Sequence, residues 1–552
     1  NHAGSFLTAA LAVAVDPSGY IYVAGNTDAV DFPISPGAFQ TNLHNSSAAF
    51  VMKLSPQASQ LIYSTYIEGQ AQSNAINLAL GIAADSAGCA YVGGETEAAD
   101  FPTTPGAFQS TIAGGLDDFV LKLNPMGTGM IYSTLIGGSN TDFCDGIAID
   151  VNGAAFVVGE TSSKDFPVTP GAFMEHTMAS GGTGFVTKVS PDGTKLEYST
   201  FLGGSGADAV FQPAVDTDGN VYVAGRTSSS DFPTTPGAFQ RKKKSKITGF
   251  VAKFSQSGTL VYSTLIGGKN SHEIGWIAVN DAGEAYVTGS TNSTDFPTTP
   301  GSYQERLAGR FDSFVTKFDA QGHSLLFSTF LGGAADDSAM SVALDHDGNV
   351  YVTGNSESHD YPVTPDAFQT VKRGPSDVVV SKLNPDGSKL VYSTYLGGES
   401  DETGYAIAVD NSGNAVVAGE TFSAGFPTTS DAILAQTSAL PTGFLSVIEP
   451  SDFILSLTPQ QITLPTGGKG TVEVGFERKG GMVGPVKITA PNAAAFNVKV
   501  SPHERNVTSS RNASFRIEVK QDAAIGQYPL IFSAADERGV IRHTATFMLI
   551  IQ

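Results

Sequence analysis

DFPTTPGAFQ, running from Asp231 to Gln240, occurs unchanged at Asp100 to Gln109. Variants stand at Asp31 (DFPISPGAFQ), Asp165 (DFPVTPGAFM), Asp295 (DFPTTPGSYQ), Asp360 (DYPVTPDAFQ) and, degraded, at Gly425 (GFPTTSDAIL). The seven starts are separated by 69, 65, 66, 64, 65 and 65 residues, a fixed period that marks a repeat architecture. An Asp beside an aromatic, stiffened by two prolines, would suit an active-site loop. A phrase carried by every repeat instead serves the repeat itself.

Three further phrases keep the same period. The first is an apolar run ending in Asp or Asn with Gly three residues on, as in VAVDPSG (Val13), IAIDVNG (Ile147) and IAVDNSG (Ile407). NVYVAGRT (Asn220) or EAYVTGST (Glu284) follows at once, and this alternation across a Gly turn reads as an antiparallel hairpin. After the DFP loop, whose Pro-Gly-Ala-Phe-Gln is expected to form one helical turn, FVLKLNP (Phe119) and its relatives give a third strand. A tight turn leads to a fourth, LVYSTYLGG (Leu390). Four antiparallel strands repeated seven times predict an all-β fold, a seven-bladed β-propeller over residues 1–450, in which radial packing protects the sheet edges.

Composition agrees with such a fold. The 552 residues include 62 Gly and only 15% charged side chains, so turns are many. A net charge of −22 disfavours nucleic acid and anionic membrane as partners, since both require basic patches. The apolar run from Leu7 to Val15 is too short to span a bilayer. The chain starts at Asn1 without a signal peptide, and a processed or trimmed form is expected. Cys89 and Cys144 are too few for a disulfide scaffold. They fall at opposite ends of a blade and are expected to be unbridged.

YSTYLGG, IAVDNSGN, DFPTTPGAFQ and FVTK together resemble the bacterial beta-propeller repeat (SBBP repeat) family over about residues 1–450. The resemblance implies a secreted or surface bacterial protein and implies no reaction. From Ser451 the period is lost. FILSLTPQQITLPTGGKGTVEVGF, FRIEVK and HTATFMLIIQ alternate differently, and residues 451–552 resemble the immunoglobulin-like sandwiches of bacterial surface proteins without the Cys pair of antibody domains. Eleven basic against eight acidic residues give this region +3, leaving 20 against 45, or −25, before it.

Six repeats carry both the loop Asp (Asp31, Asp100, Asp165, Asp231, Asp295, Asp360) and a third-strand Lys (Lys53, Lys122, Lys188, Lys253, Lys317, Lys382). In the seventh, Gly425 and Val447 replace them together. Because an unpaired buried charge costs more than no charge, joint loss predicts that each Asp pairs with its Lys to anchor the loop. The seventh repeat is unusual again in its fourth strand. The chain begins just past the position of a Tyr-Ser-Thr strand, and TGFLSVIEP runs straight into FILSLTP. The missing strand is expected from upstream residues, from FILSLTP itself or from a neighbouring molecule, whose donation would make a polymer.

Acids cluster before the first strands: Asp142 and Asp145, Asp208, Glu273, Asp336 and Asp337, Asp401 and Glu402. They are expected to form a solvated rim at one mouth of the central channel, with Asp336, Asp337, Asp401 and Glu402 as weak candidates for calcium and no other cofactor implied. Trp276, the single Trp, lies with His272 and Glu273 at the start of the fifth repeat and could stack a sugar. The run Arg241, Lys242, Lys243, Lys244 and Lys246 could dock an acidic partner. No HExxH, nucleophile elbow or phosphate loop is present. The expectation is a non-catalytic, secreted or cell-surface scaffold or adhesion module with protein partners, itself among them. The alternative is a glycan-binding protein or polysaccharide-active enzyme at the channel mouth.

Overall fold

The computed structural model describes residues 8–70, 75–179, 181–270, 272–365, 367–429, 432–433, 441–449, 453–478, 486–491, 493–507, 513–535 and 541–552. It forms two compact units, Asn1–Glu449 and Pro450–Gln552. Nine sheets are present among the described residues, seven in the first unit and two in the second.

The seven sheets of the first unit span residues 9–67, 77–136, 142–202, 208–266, 272–331, 337–396 and 402–448, and are numbered here in that order. Each is an antiparallel meander. Sheet four is typical, with strands Asp208–Val215, Val221–Thr227, Thr248–Phe254 and Leu260–Ile266. Sheets one to six have four strands, and sheet seven has three among the described residues: Glu402–Val409, Ala415–Thr421 and Thr442–Ile448. The first strands neighbour one another in sequence order, and that of sheet seven neighbours that of sheet one. The strands therefore surround a common axis. Where the sheets converge only small side chains fit, which explains why Ala recurs at 14, 83, 148, 214, 278, 343 and 408, half-buried in every case.

Adjacent sheets share their cores. Phe156 and Val158 of sheet three pack with Val221, Val223 and Phe250 of sheet four, and burial of each such side chain contributes about 1.5–3 kcal/mol. The Phe of the DFP phrase lies on the third-strand Phe of its own sheet, with ring centroids 4.4 Å apart for Phe232 and Phe250. The predicted helical turn in that phrase does not form. Its Gly sits at positive φ, +84° at Gly237 and +82° at Gly171, outside the helical region, so Pro-Gly makes a turn. Cys89 and Cys144 are buried free thiols.

In the second unit one sheet orders Phe453–Thr458, Lys469–Arg478, Ala513–Val519 and Val498–Ser501. The other orders Gln461–Leu464, Ile541–Ile551, Gly526–Ala535, Val486–Thr489 and Glu504–Val507. Val472, Ile488, Phe515, Phe532 and Leu549 fill one core between them. FILSLTP therefore begins this unit, pairing with Lys469–Arg478.

Candidate functional site

The predicted pairing of loop Asp with strand Lys is replaced by two separate arrangements at opposite ends of each sheet. Lys188 lies 3.1 Å from Asp150 and 3.2 Å from Glu197. Lys122 meets Asp85 at 3.0 Å, Lys253 meets Asp216 at 3.4 Å and Lys382 meets Asp345 at 3.4 Å. In sheet five, where Asn280 takes the place of the turn Asp, Lys317 pairs with Glu284 at 2.7 Å. Lys53 donates to the carbonyl of Gly88 in the next sheet. Each ammonium also rests 4.5–5.1 Å from the ring directly across on the second strand: Tyr22, Tyr91, Phe156, Tyr222, Tyr286 or Tyr351.

The reason is register. Lys188 stands five residues into its strand, about 17 Å from the loop end at 3.3 Å per residue, and so reaches the first hairpin turn rather than the DFP loop. In sheet seven the residues facing each other here are Val416 and Val447. The Lys is lost together with its aromatic platform.

The loop Asp caps the corner that leads into its own sheet. Asp231 accepts the backbone N–H and the hydroxyl of Ser205, both at 2.9 Å, and Asp165 does the same with Ser139. Asp100, Asp295 and Asp360 accept the N–H groups of Gln70, Lys269 and Ala334, and Asp31 holds the equivalent loop position. These bonds favour the ionised carboxylate and hold Asp165 and Asp231 below the usual range. In the seventh copy the carboxylate comes from the other side, with Glu399 accepting the N–H of Gly425.

The expected solvated acidic rim is instead a set of buried polar staples. Asp142, Asp208, Asp337 and Glu402 are at most 1% exposed. Asp337 accepts hydrogen bonds from Ser356, Ser358 and the N–H of Gly333, and burial still pushes it and Asp142 up to about 6. His272 occupies the same strand position, bonded to Thr291 and Ser245 and pushed down to about 4 by desolvation.

The calcium candidates do not converge. Asp336 is held by Arg310, Asp337 faces inward, Asp401 is exposed, and among the described residues no group of three ligating side chains gathers. Asp145 is half-buried, and the side chain of Glu273 lies outside the described residues. Trp276 is half-buried and packs against the apolar clusters of sheets one, seven and six, so its ring fills space about the axis. Of the basic run, Lys243 bonds the carbonyls of Ser228 and Lys246, while Arg241, Lys242, Lys244 and Lys246 are exposed.

Two features escaped the reading by phrases. Asp118, wholly buried, lies directly across from buried Glu95, and neither of its oxygens has a hydrogen-bond partner among the described residues. Burial raises both carboxyls, Glu95 to about 8. The other feature is a glycine exchange. In sheets two to six a Gly at the turn between strands three and four lies under an aromatic ring of the preceding sheet. A Cβ there would come within 2.3–2.7 Å of Tyr63, Tyr132, Tyr198, Tyr262 or Phe327. Sheet one has Ala58 instead, also at positive φ (54°), packed against the apolar cluster that sheets one and seven share.

That junction is the candidate functional site. Thr442–Ile448 pairs with Ala415–Thr421 on one side and has no strand on the other among the described residues. An open strand edge presents a row of unpaired backbone donors and acceptors, and it can add another strand.

Residues 12–33, 131–167, 197–233, 326–362 and 391–427 match the beta-propeller repeat. The chain carries beta-propeller repeats. Four of the five matches run through the YST strand, the corner, the hairpin and the start of the DFP loop, and the match at 12–33 covers the hairpin and the start of that loop. No curated protein matches the chain. Solved structures similar to parts of it include WR4, a C. elegans MSP family member, at 14% identity over 18% of this chain and 97% of that one, with a TM-score of 0.15. An ACO/RPE65 chimera is 10% identical over 70% and 72%, with a TM-score of 0.34. Domains 4 and 5 of the S-layer protein SbsC are 10% identical over 48% and 96%, with a TM-score of 0.13. These scores are too low to bear on fold or function. No helix among the described residues is long and apolar enough to cross a membrane.

Proposed function

We propose that the chain is a seven-bladed β-propeller followed by an immunoglobulin-like β-sandwich, acting without catalysis as an extracellular or cell-surface scaffold or adhesion protein. It works through protein contacts, including contacts with its own copies. The observation that carries this reading is that the most repeated sequence is spent on the fold. In sheet four, Asp231 caps a corner, Phe232 packs on Phe250, Thr235 bonds the backbone of Ser263, the N–H of Phe239 donates to Gly322 of the next sheet and Gln240 bonds Thr264. The phrase acts as a strap between blades. No cofactor enters this reading. Thr442–Ile448, paired on one side only among the described residues, is the surface on which this reading places association.

Light scattering and electron microscopy of the full chain at rising concentration test the proposal. Assemblies that grow with concentration are the expected result. A chain that stays monomeric and binds or cleaves a polysaccharide, with the activity lost in Trp276→Ala, would overturn it.

A further inference from the structure

We propose that the propeller carries a second contact between copies, in which basic loops at one end of sheets four, five and six meet acidic turns from the other end of the same three sheets in a neighbouring molecule. The inference rests on the scaffold reading above and gives it a contact distinct from Thr442–Ile448.

The loops that lead from the DFP phrase into the third strand have one length in sheets two, four, five and six, running Gln109–Asp117, Gln240–Thr248, Gln304–Asp312 and Gln369–Asp377. In each, the Gln side chain donates to the carbonyl two residues on, that of Thr111, Lys242, Arg306 or Val371, at 3.0 or 3.1 Å. The loop of sheet two has no Lys or Arg, and neither have those of sheets one and three, so the backbone forms without basic charge. In sheets four to six the loops are basic. Lys243 and Lys372 bond backbone carbonyls and Arg310 pairs with Asp336. Arg241, Lys242, Lys244, Lys246, Arg306 and Arg373 stay exposed.

The opposite end of the same sheets adds the opposite sign. In sheet four the basic loop enters at Thr248, across from Thr227, and the first hairpin turn lies at the far end of the strands, where Val215 pairs with Val221. The two residues inside that turn are Thr217 and Asp218 in sheet four, Asp281 and Ala282 in sheet five, and His346 and Asp347 in sheet six, each pair with an exposed acid. In sheets one, two, three and seven the pairs are Pro17 and Ser18, Ser86 and Ala87, Val151 and Asn152, and Asn411 and Ser412, without one. The turn itself does not require the acid, since Asp150 accepts the N–H of Asn152 as Asp216 accepts that of Asp218. Three adjacent sheets therefore gain cations at one end and carboxylates at the other where the fold calls for neither. One exposed ion pair contributes little, but facing rows of opposite charge fix register and reject like charge. The turn into the second strand and the loop into the third stand on strands about 4.8 Å apart, an offset that a Lys or Arg side chain spans. A contact joining unlike ends is heterologous and propagates as an open stack unless rotation closes a ring.

Charge exchange tests the contact. One chain carries Lys242→Glu with Lys244→Glu, a second carries Asp218→Lys with Asp281→Lys, and all four side chains are exposed. Each variant alone is expected to associate about tenfold more weakly than the parent in light scattering, because its two ends then carry one sign. An equal mixture should assemble as the parent does, since every end again meets its opposite, a rescue that misfolding would not produce. Parent assemblies should dissociate as salt rises toward 1 M, where the Debye length is about 3 Å. Variants that each assemble as well as the parent, or a mixture that stays apart, overturn this inference and leave the scaffold reading standing with Thr442–Ile448 as its contact. A parent chain that stays monomeric at every concentration, whether or not its basic loops bind a polyanion such as polygalacturonate, overturns both.

Discussion

The seam between sheets four and five and the seam between sheets seven and one solve the same packing problem with different chemistry. At the first, Tyr222 bonds Asp216, Lys253 pairs with the same Asp216, and the ring of Tyr262 lies over Gly322. At the second, Val416, Val447 and Ala58 stand at those positions, and Asn411 bonding the carbonyl of Pro17 is a polar tie across it. A seam inside the repeat array is held by charge, aromatic ring and glycine acting together. At the closing seam all three changed together, because each is useful only in the presence of the others. An ammonium without the aromatic ring beside it would lose its cation–π contact, and a glycine without a ring above it would cost backbone entropy for nothing.

The sharpest way to break this contrast is to remove a cation from an internal seam. Lys188→Ala leaves the Asp150 carboxylate buried without its counter-ion, held only by the N–H groups of Asn152 and Ala154, and is expected to cost about 3–5 kcal/mol in chemical denaturation. Lys188→Ala combined with Asp150→Asn should recover part of that loss. Next comes the glycine. Gly258→Ala puts a methyl about 2.7 Å from the ring of Tyr198 in a left-handed backbone, and overpacking with backbone strain should cost about 2–4 kcal/mol.

A pH effect follows from the facing acids of sheet two. Glu95, raised to about 8, and Asp118, raised further from its ordinary value, are stabilised in their neutral forms by the fold. That contribution is complete below the unfolded-state values and is lost as the pH rises through about 4 to 8 and beyond. Asp118→Asn removes the carboxyl that the unfolded chain ionises and the fold keeps neutral, so it should raise stability by about 1–3 kcal/mol more at pH 9 than at pH 5. Unfolding curves of both proteins at the two pH values check the sign. The smallest expected effect is Ala58→Gly, within about 1 kcal/mol of the parent, because left-handed strain is relieved while apolar contact is lost.

Much of the fold was legible before any coordinates. The repeat period, the four strands and the turn residues follow from local chemistry, since alternation, Gly at positive φ and Pro placement act over a few residues. The Asp–Lys inference failed on a single point. Asp165 and Lys188 vary together along the chain, but the strand between them carries the Lys to the far end of the sheet, where Asp150 waits. The acids before the first strands were read as an exposed rim because sequence marks charge and not depth. Asp337 is buried under Ser356 and Ser358. Ala58 escaped the sequence reading, because the exchange has meaning only beside the ring that stands over each of the equivalent glycines.

By itself, the sequence determined a tandem β-repeat, its length, its turns and the place where the repeat stops, because these depend on interactions between residues close in the chain. Only the tertiary structure decided which charge meets which and which acids lose water. Those outcomes depend on how one sheet faces the next, and residues about sixty-five positions apart meet there for reasons of register and depth that no local pattern encodes.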